Sequence, residues 1–87
     1  MTNTVASAEL ERAHKTSIRH RAQIEGSDQC GCFYCLKTFA PSSIHEWCDQ
    51  GQTALCPHCG IDSVLGSASG FPLSAEFLVQ MQKRWFH

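Results

Sequence analysis

Two cysteine pairs constrain the fold of this 87-residue chain more than any other feature. Each pair is a C-x2-C motif, a spacer of twenty residues separates them, and their members are Cys32, Cys35, Cys56 and Cys59. This spacing lies at the upper limit of the C-x2-C-x15–20-C-x2-C pattern of four-cysteine zinc sites. Two cysteines three positions apart let one tight turn direct both sulfurs at the same ion. The motifs therefore predict a closed tetrahedral site of four thiolates.

The short length of the chain makes a bound metal important for folding. A chain of this size forms one domain at most, and its apolar core alone gives only marginal stability. Binding of a structural zinc ion contributes on the order of 10 to 16 kcal/mol in zinc-finger peptides, which equals or exceeds the net stability of an ordinary domain. We therefore expect one structural Zn²⁺, with Fe as the less favoured metal, and expect the central part to unfold without it.

Composition favours a cytoplasmic protein without a membrane segment. Residues 1–25 are polar and charged, without the apolar stretch of a signal peptide, and no run of residues approaches the length that crosses a bilayer. Six cysteines in such a chain favour metal binding over three disulfides. The formal charge of −1 excludes a globally basic protein, and four metal-bound thiolates make the folded chain more acidic still.

The chain divides near residue 27 into an arm and a domain. Residues 1–27 are polar and partly helical in composition, and their apolar positions do not form one stripe, so we expect a loosely docked arm with one helix or two. Residues 28–87 predict a small metal-stabilised α+β domain with a zinc-ribbon or treble-clef-like core. A short β-hairpin turns at residues 49–52, and an amphipathic C-terminal helix begins after Ser74.

Several strings of residues resemble those of a family of small, uncharacterised bacterial cytoplasmic proteins with a zinc-ribbon core. They are Cys-Gly-Cys-Phe-Tyr-Cys at 30–35, Glu-Trp at 46–47, Thr-Ala-Leu-Cys-Pro-His-Cys-Gly-Ile-Asp-Ser-Val at 53–64, and Phe-Pro-Leu to Trp-Phe at 71–86. The resemblance runs from about His20 onward and implies the metal site and the cytoplasmic setting, but no activity. The second motif is also similar to that of rubredoxins, although the spacer here is shorter and lacks their acidic, aromatic sequence.

Three functions suit a protein built around such a site. The favoured one is a small protein-interaction or regulatory module, whose unknown protein partner binds exposed aromatic residues: Trp47, Phe71, Trp85 and Phe86. The first alternative is a nucleic-acid binder that uses the basic N-terminal residues, which are Arg12, Lys15, Arg19 and Arg21. The second alternative is an iron electron carrier of the rubredoxin type. None of them needs a membrane.

The sequence does not predict an enzyme. Four thiolate ligands leave no open coordination position, unlike the three protein ligands of catalytic zinc. His45 would be the base of a zinc-stapled nuclease of the HNH type, but no later histidine or asparagine completes that set. Ser63 has no histidine nearby in sequence to activate it, and the ring of His58, inside the second motif, is expected to face solvent.

Two further cysteines lie outside the predicted ligand set. Cys30 precedes Cys32 by two positions, and this shorter spacing closes a poorer turn, which favours a free thiol over a fifth ligand. Cys48 is expected in the hairpin or the core. If Cys30 and Cys48 were adjacent in the fold, they would form a redox-sensing pair.

Overall fold

The structure is a computed structural model and describes residues 7–86. In this range the fold is α+β, as predicted, with three α-helices: α1 (Ser7–Lys15), α2 (Arg21–Glu25) and α3 (Ala75–Phe86). The strands are β1 (Cys30–Cys32), β2 (Thr38–Phe39), β3 (Trp47–Cys48), β4 (Thr53–Ala54) and β5 (Val64–Gly66). None of the helices in this range is suited in length and hydropathy to span a membrane. The first six residues of the predicted arm and residue 87 lie outside the described part.

The strands form a three-stranded sheet and a separate hairpin, all antiparallel. β1 lies between β2 and β5, with Cys30 opposite Phe39 and Cys32 opposite Val64. β3 and β4 form the predicted hairpin, whose turn contains Gly51 with a φ of 83°. Because β1 ends at the first cysteine motif and β4 ends just before the second, the sheet and the hairpin bring the two motifs together.

The C-terminal helix α3 forms over the predicted residues. The Ser74 hydroxyl caps it by accepting a hydrogen bond of 3.2 Å from the backbone N–H of Phe77. The side chains of Phe77, Leu78 and Met81 are at most 1% exposed, so they form the buried face of the helix. They pack in one apolar cluster with Phe33 of the first cysteine motif.

The N-terminal helices belong to the core, so the prediction of a loosely docked arm is wrong. Leu10 and Ala13 of α1 pack in the cluster around α3, whereas Ile24 of α2 packs in a second cluster around β1. Between the helices, the hydroxyls of Thr16 and Ser17 donate to carbonyl oxygens three residues earlier, at 2.8 and 2.6 Å. The apolar positions form no single stripe because two short helices face two different clusters.

Candidate metal centre

The four predicted ligand cysteines meet at one point in the fold. Their Sγ atoms all lie within 4.8 Å of one another. The Sγ of Cys32 is 3.6 Å from that of Cys59, and the Sγ of Cys35 is 3.7 Å from that of Cys56. Zn–S bonds of about 2.3 Å in a tetrahedron place the sulfurs roughly 3.8 Å apart, whereas a disulfide places them about 2.05 Å apart. The spacing therefore fits four ligands of one metal ion.

The two motifs fold into matching turns. In each, the backbone N–H of the residue after the second cysteine donates to the carbonyl oxygen of the first cysteine, at 2.9 Å in both turns. These residues, Leu36 and Gly60, have left-handed φ values of 67° and 79°. Glycine adopts this conformation freely, but it costs a residue with a β-carbon roughly 1–2 kcal/mol. The first turn is therefore strained at Leu36, whereas the second is not strained at Gly60.

Backbone N–H groups of both turns point at the sulfurs. Those of Tyr34 and Cys35 donate to the Sγ of Cys32 at 3.3 and 3.4 Å. In the second motif, the N–H of His58 donates to the Sγ of Cys56 at 3.4 Å. Such hydrogen bonds favour the ionised form of a thiol because they offset its negative charge, so the turns are built to hold thiolates.

Ser63 is a part of this site that the cysteine spacing does not reveal. It is fully buried just before β5, and its Oγ lies 3.0 Å from the Sγ of Cys32, where the hydroxyl donates to a thiolate. Burial acts to raise the pKa of Cys32, but the hydrogen bonds from Ser63 and from the backbone outweigh it, so the pKa is lowered. No sequence rule marks Ser63, because it lies 31 positions from its partner.

The thiols of Cys35 and Cys59 are harder to ionise than that of Cys32 when no cation is bound. Burial raises the pKa of both Cys35 and Cys59, and the neighbouring sulfurs add to the effect. Four adjacent thiolates repel one another unless a cation lies between them. Metal binding to this cluster is therefore accompanied by proton release.

Cys30 and Cys48 do not join the cluster. Cys30 is buried in β1, and burial raises the pKa of its thiol to about 11. Cys48 is partly exposed in β3, which belongs to the separate hairpin. Neither a hydrogen bond nor a disulfide joins the two sulfurs in the described chain.

The four basic residues of the N-terminal segment have different environments. Three are exposed and have no ion-pair partner within residues 7–86: Arg12, Lys15 and Arg19. Arg21 is instead engaged in contacts within the chain, although its side chain is 41% exposed. Its Nε pairs with Glu25 at 2.9 Å, its Nη1 donates to the carbonyl oxygen of Gly51 at 2.9 Å, and its guanidinium lies 4.4 Å from the ring centroid of Trp47. Arg21 therefore contributes to structure, and the predicted basic surface is reduced to three residues.

The four aromatic residues predicted to bind a partner do not form one surface. Three of them are half-buried in contacts within the chain: Trp47, Phe71 and Trp85. The ring of Trp85, for example, stacks on His14 with centroids 4.0 Å apart. Phe86 is exposed, and the exposed ring of Tyr34 meets it edge-on at 4.9 Å. We call Tyr34 and Phe86 the aromatic patch.

The two histidines considered as site residues do not join the cluster either. His45 is exposed, and its Nδ1 lies 3.1 Å from the carbonyl oxygen of Ser43. The exposed ring of His58 lies against Phe39, with ring centroids 5.7 Å apart. The site in the described chain consists of four thiols and the groups that donate to them.

Comparison of the chain with known protein families, with curated proteins and with solved structures finds no significant match. The assignment of the site rests on the geometry of the four cysteines.

Proposed function

We propose that this chain is a structural zinc protein, a zinc-ribbon or treble-clef-like module of the cytoplasm that binds a protein partner. The metal ligands are the clustered cysteines: Cys32, Cys35, Cys56 and Cys59. The observation that carries the proposal is the convergence of these four sulfurs at distances that suit tetrahedral coordination. Its α+β architecture and the resemblance of its cysteine motifs to small bacterial zinc-ribbon proteins support the same interpretation.

The position of the cluster supports a structural role for the ion. Cys32 ends a strand of the three-stranded sheet, and Cys56 follows the hairpin, so one ion joins the two sheets of the molecule. Four thiolates fill the coordination shell of zinc and leave no position for a substrate. Because the two clusters of apolar side chains are small, the energy of metal binding supplies much of the folding energy.

Metal analysis of protein purified without added metal tests this proposal. We expect one zinc per chain, loss of circular dichroism and of dispersed amide signals when a chelator removes it, and recovery when zinc is restored. Cys56→Ser removes a ligand and is expected to prevent zinc binding, whereas Cys48→Ser, outside the cluster, serves as the matched control. A metal-free chain that stays fully folded contradicts the proposal, and a red protein with one iron favours the electron-carrier alternative.

The aromatic patch is the surface that we propose for the protein partner. It contains two of the three large apolar side chains that are exposed in residues 7–86, the third being Ile18. The exposed Lys83 lies three positions before Phe86 on α3, and the exposed Lys37 lies three positions after Tyr34. This combination suits a partner segment that carries an apolar side chain flanked by acidic residues.

An acidic peptide with one central phenylalanine is a suitable probe of the patch. We expect its titration to shift the amide signals of Tyr34 and Phe86, and expect Phe86→Ala to abolish the shifts. Ile18→Ala, which removes another exposed apolar side chain elsewhere, is expected to leave them unchanged. Shifts that map instead to α1, or that persist in Phe86→Ala, contradict this assignment.

Nucleic-acid binding remains the alternative, with Arg12, Lys15 and Arg19 as the available contacts. Phosphate contacts make affinity fall steeply with salt, because binding releases counterions. Titration with single- and double-stranded oligonucleotides at low and high salt separates the two functions. Absence of binding at low salt excludes this alternative.

A further inference from the structure

The four thiols of the cluster differ in their exposure to solvent. The first cysteine of each motif, Cys32 or Cys56, is buried, whereas the second, Cys35 or Cys59, is partly exposed. In the described chain, two sulfur–sulfur contacts have hydrogen-bond geometry. They join Cys32 to Cys59 at 3.6 Å and Cys35 to Cys56 at 3.7 Å. Each contact therefore pairs a partly exposed thiol of one motif with a buried thiol of the other motif.

This pairing suits the oxidation of thiols to disulfides by a peroxide. A solvent-accessible thiolate attacks hydrogen peroxide, so that an S–O bond forms, the O–O bond breaks and hydroxide leaves. The neighbouring thiolate then attacks the sulfenic acid, so that an S–S bond forms, the S–O bond breaks and a second hydroxide leaves. Two thiolates give up two electrons in all, and one molecule of peroxide takes them up. The fold thus places a buried resolving cysteine against each accessible one.

Oxidation of both pairs would replace the metal by two covalent links. A thiolate is the zinc ligand, so the two disulfides remove all four ligands and the cluster loses its ion. Both disulfides join the first motif to the second, so the three-stranded sheet and the hairpin stay connected without metal. Each pair of sulfurs has to approach by roughly 1.6 Å to reach a disulfide bond length of about 2.05 Å. The turns that carry the sulfurs therefore have to move.

The first of these turns also carries Tyr34 of the aromatic patch. The backbone N–H of Tyr34 donates to the Sγ of Cys32 at 3.3 Å, and its carbonyl oxygen accepts a hydrogen bond of 2.7 Å from Nε2 of Gln82 on α3. Its ring meets that of Phe86 edge-on at 4.9 Å. A charged sulfur is a stronger acceptor than a neutral one, so a disulfide at Cys32 weakens the first of these contacts. The position of the Tyr34 ring thus depends on the state of the cluster.

We propose that the cysteine cluster is an oxidation site that controls the aromatic patch. In the reduced, metal-bound chain, the Cys32 thiolate holds Tyr34 against Phe86. Peroxide converts this state into a metal-free one with two disulfides between the motifs, in which the contact between the two rings is lost. A thiol reductant together with zinc restores it. The inference rests on the proposed zinc site and adds regulation of the partner surface to it.

Treatment of the zinc-loaded, full-length chain with hydrogen peroxide tests the proposal. We expect a chromogenic chelator to detect release of the zinc, with two molecules of peroxide consumed for each ion. Mass spectrometry is expected to find the disulfides Cys32–Cys59 and Cys35–Cys56. Cleavage after Tyr34 separates the cysteines of the first motif, and fragmentation of the linked peptides separates those of the second. Nuclear Overhauser contacts between the rings of Tyr34 and Phe86 should disappear and should return with reductant and zinc.

Variants distinguish this switch from unspecific oxidation. Cys59→His keeps a zinc ligand but removes one thiol of a pair, so we expect it to bind zinc and to form only the Cys35–Cys56 disulfide. Cys48→Ser removes a partly exposed thiol outside the cluster, and as the matched control it should release zinc at the rate of the parent chain. If Cys59→His binds no zinc, the disulfides of the parent chain decide the question.

Three results would overturn this proposal. The first is retention of zinc in molecules whose Cys48 is already oxidised, because that thiol reports an active oxidant. The second is a different product, either disulfides within each motif or sulfinic acids. The third is loss of zinc with the contact between Tyr34 and Phe86 unchanged. A reduced chain that contains no zinc before oxidation contradicts the zinc site itself, so the two failures can be told apart.

Discussion

His20 connects the N-terminal helices to the hairpin through one buried imidazole ring. Its Nδ1 lies 2.6 Å from the carbonyl oxygen of Thr16, and its Nε2 lies 3.1 Å from the backbone N–H of Ala54. Because a carbonyl oxygen only accepts and an N–H only donates, the ring is neutral with its proton on Nδ1. Protonation of Nε2 would replace this hydrogen bond with a repulsive contact between two donors, Nε2–H of His20 and the backbone N–H of Ala54.

The buried ring makes stability depend on pH. Burial lowers the pKa of His20 below 6.5, an effect larger than the opposite one of the Thr16 carbonyl. As the pH falls, His20 therefore takes up a proton in the unfolded chain before it does so in the folded chain. The contribution of the neutral ring to folding stability is complete above a pH of about 6.5 and is lost as the pH falls through the lower folded-state pKa. We expect the Tm of metal-loaded protein to fall over this range and His20→Gln to flatten the dependence. The measurement covers only pH values at which metal analysis shows that zinc is still bound. If the slope of Tm against pH is the same in His20→Gln, the assignment of the pH dependence to His20 is contradicted.

The hydroxyl of Ser63 is expected to strengthen metal binding. It supports the Cys32 thiolate through a buried hydrogen bond, and loss of such a supporting group lowers metal affinity by roughly 10-fold or more. Ser63→Ala should therefore release zinc to a competing chelator more readily. Ser42→Ala, at an exposed position of the turn Pro41–Ser43, is the control. Equal affinities in the two variants would assign Ser63 to packing alone.

The two cysteine turns show how the same backbone shape is reached by different residues. Gly60 has a φ of 79°, and a β-carbon added there would meet no atom within 4 Å, so Gly60→Ala causes strain without a clash. We expect it to lower the free energy of unfolding of the metal-loaded protein by about 1 kcal/mol in urea. Gly26→Ala is the matched control, and it should lower the free energy of unfolding by less because Gly26 has a φ of −88°. If both variants lower the free energy of unfolding equally, the left-handed conformation at residue 60 does not destabilise the alanine variant.

The N-terminal segment is expected to be essential for cooperative folding of the whole molecule. Ala13 and Ile24 are both 0% exposed, one in each apolar cluster, so removal of residues 1–27 uncovers both clusters. We expect the fragment 28–87 to retain its metal ligands but to lose a sharp thermal transition and to bind a dye specific for exposed apolar surface. A fragment that unfolds as cooperatively as the full chain would place a true domain boundary at residue 27.

Helices and turns whose contacts are local could be predicted well from the sequence. The α3 helix has its cap at Ser74 and its apolar face within 12 residues, and the hairpin has its turn glycine at Gly51. The docking of α1 and α2 could not be predicted in this way. Their apolar residues face different clusters, and the helices are separate because α1 ends at Lys15, just before Thr16.

The sequence by itself determined the two cysteine turns and predicted the four ligands, because each C-x2-C spacing encodes a tight turn that needs no distant contact. Only the tertiary structure decided what surrounds them. The hydrogen bond of Ser63 to Cys32, the packing of Arg21 against Trp47 and the hydrogen bond between Ala54 and His20 join residues far apart in the chain. The first contact depends on the pairing of β1 with β5, and the other two depend on how the N-terminal helices pack against the hairpin. No local periodicity specifies either arrangement.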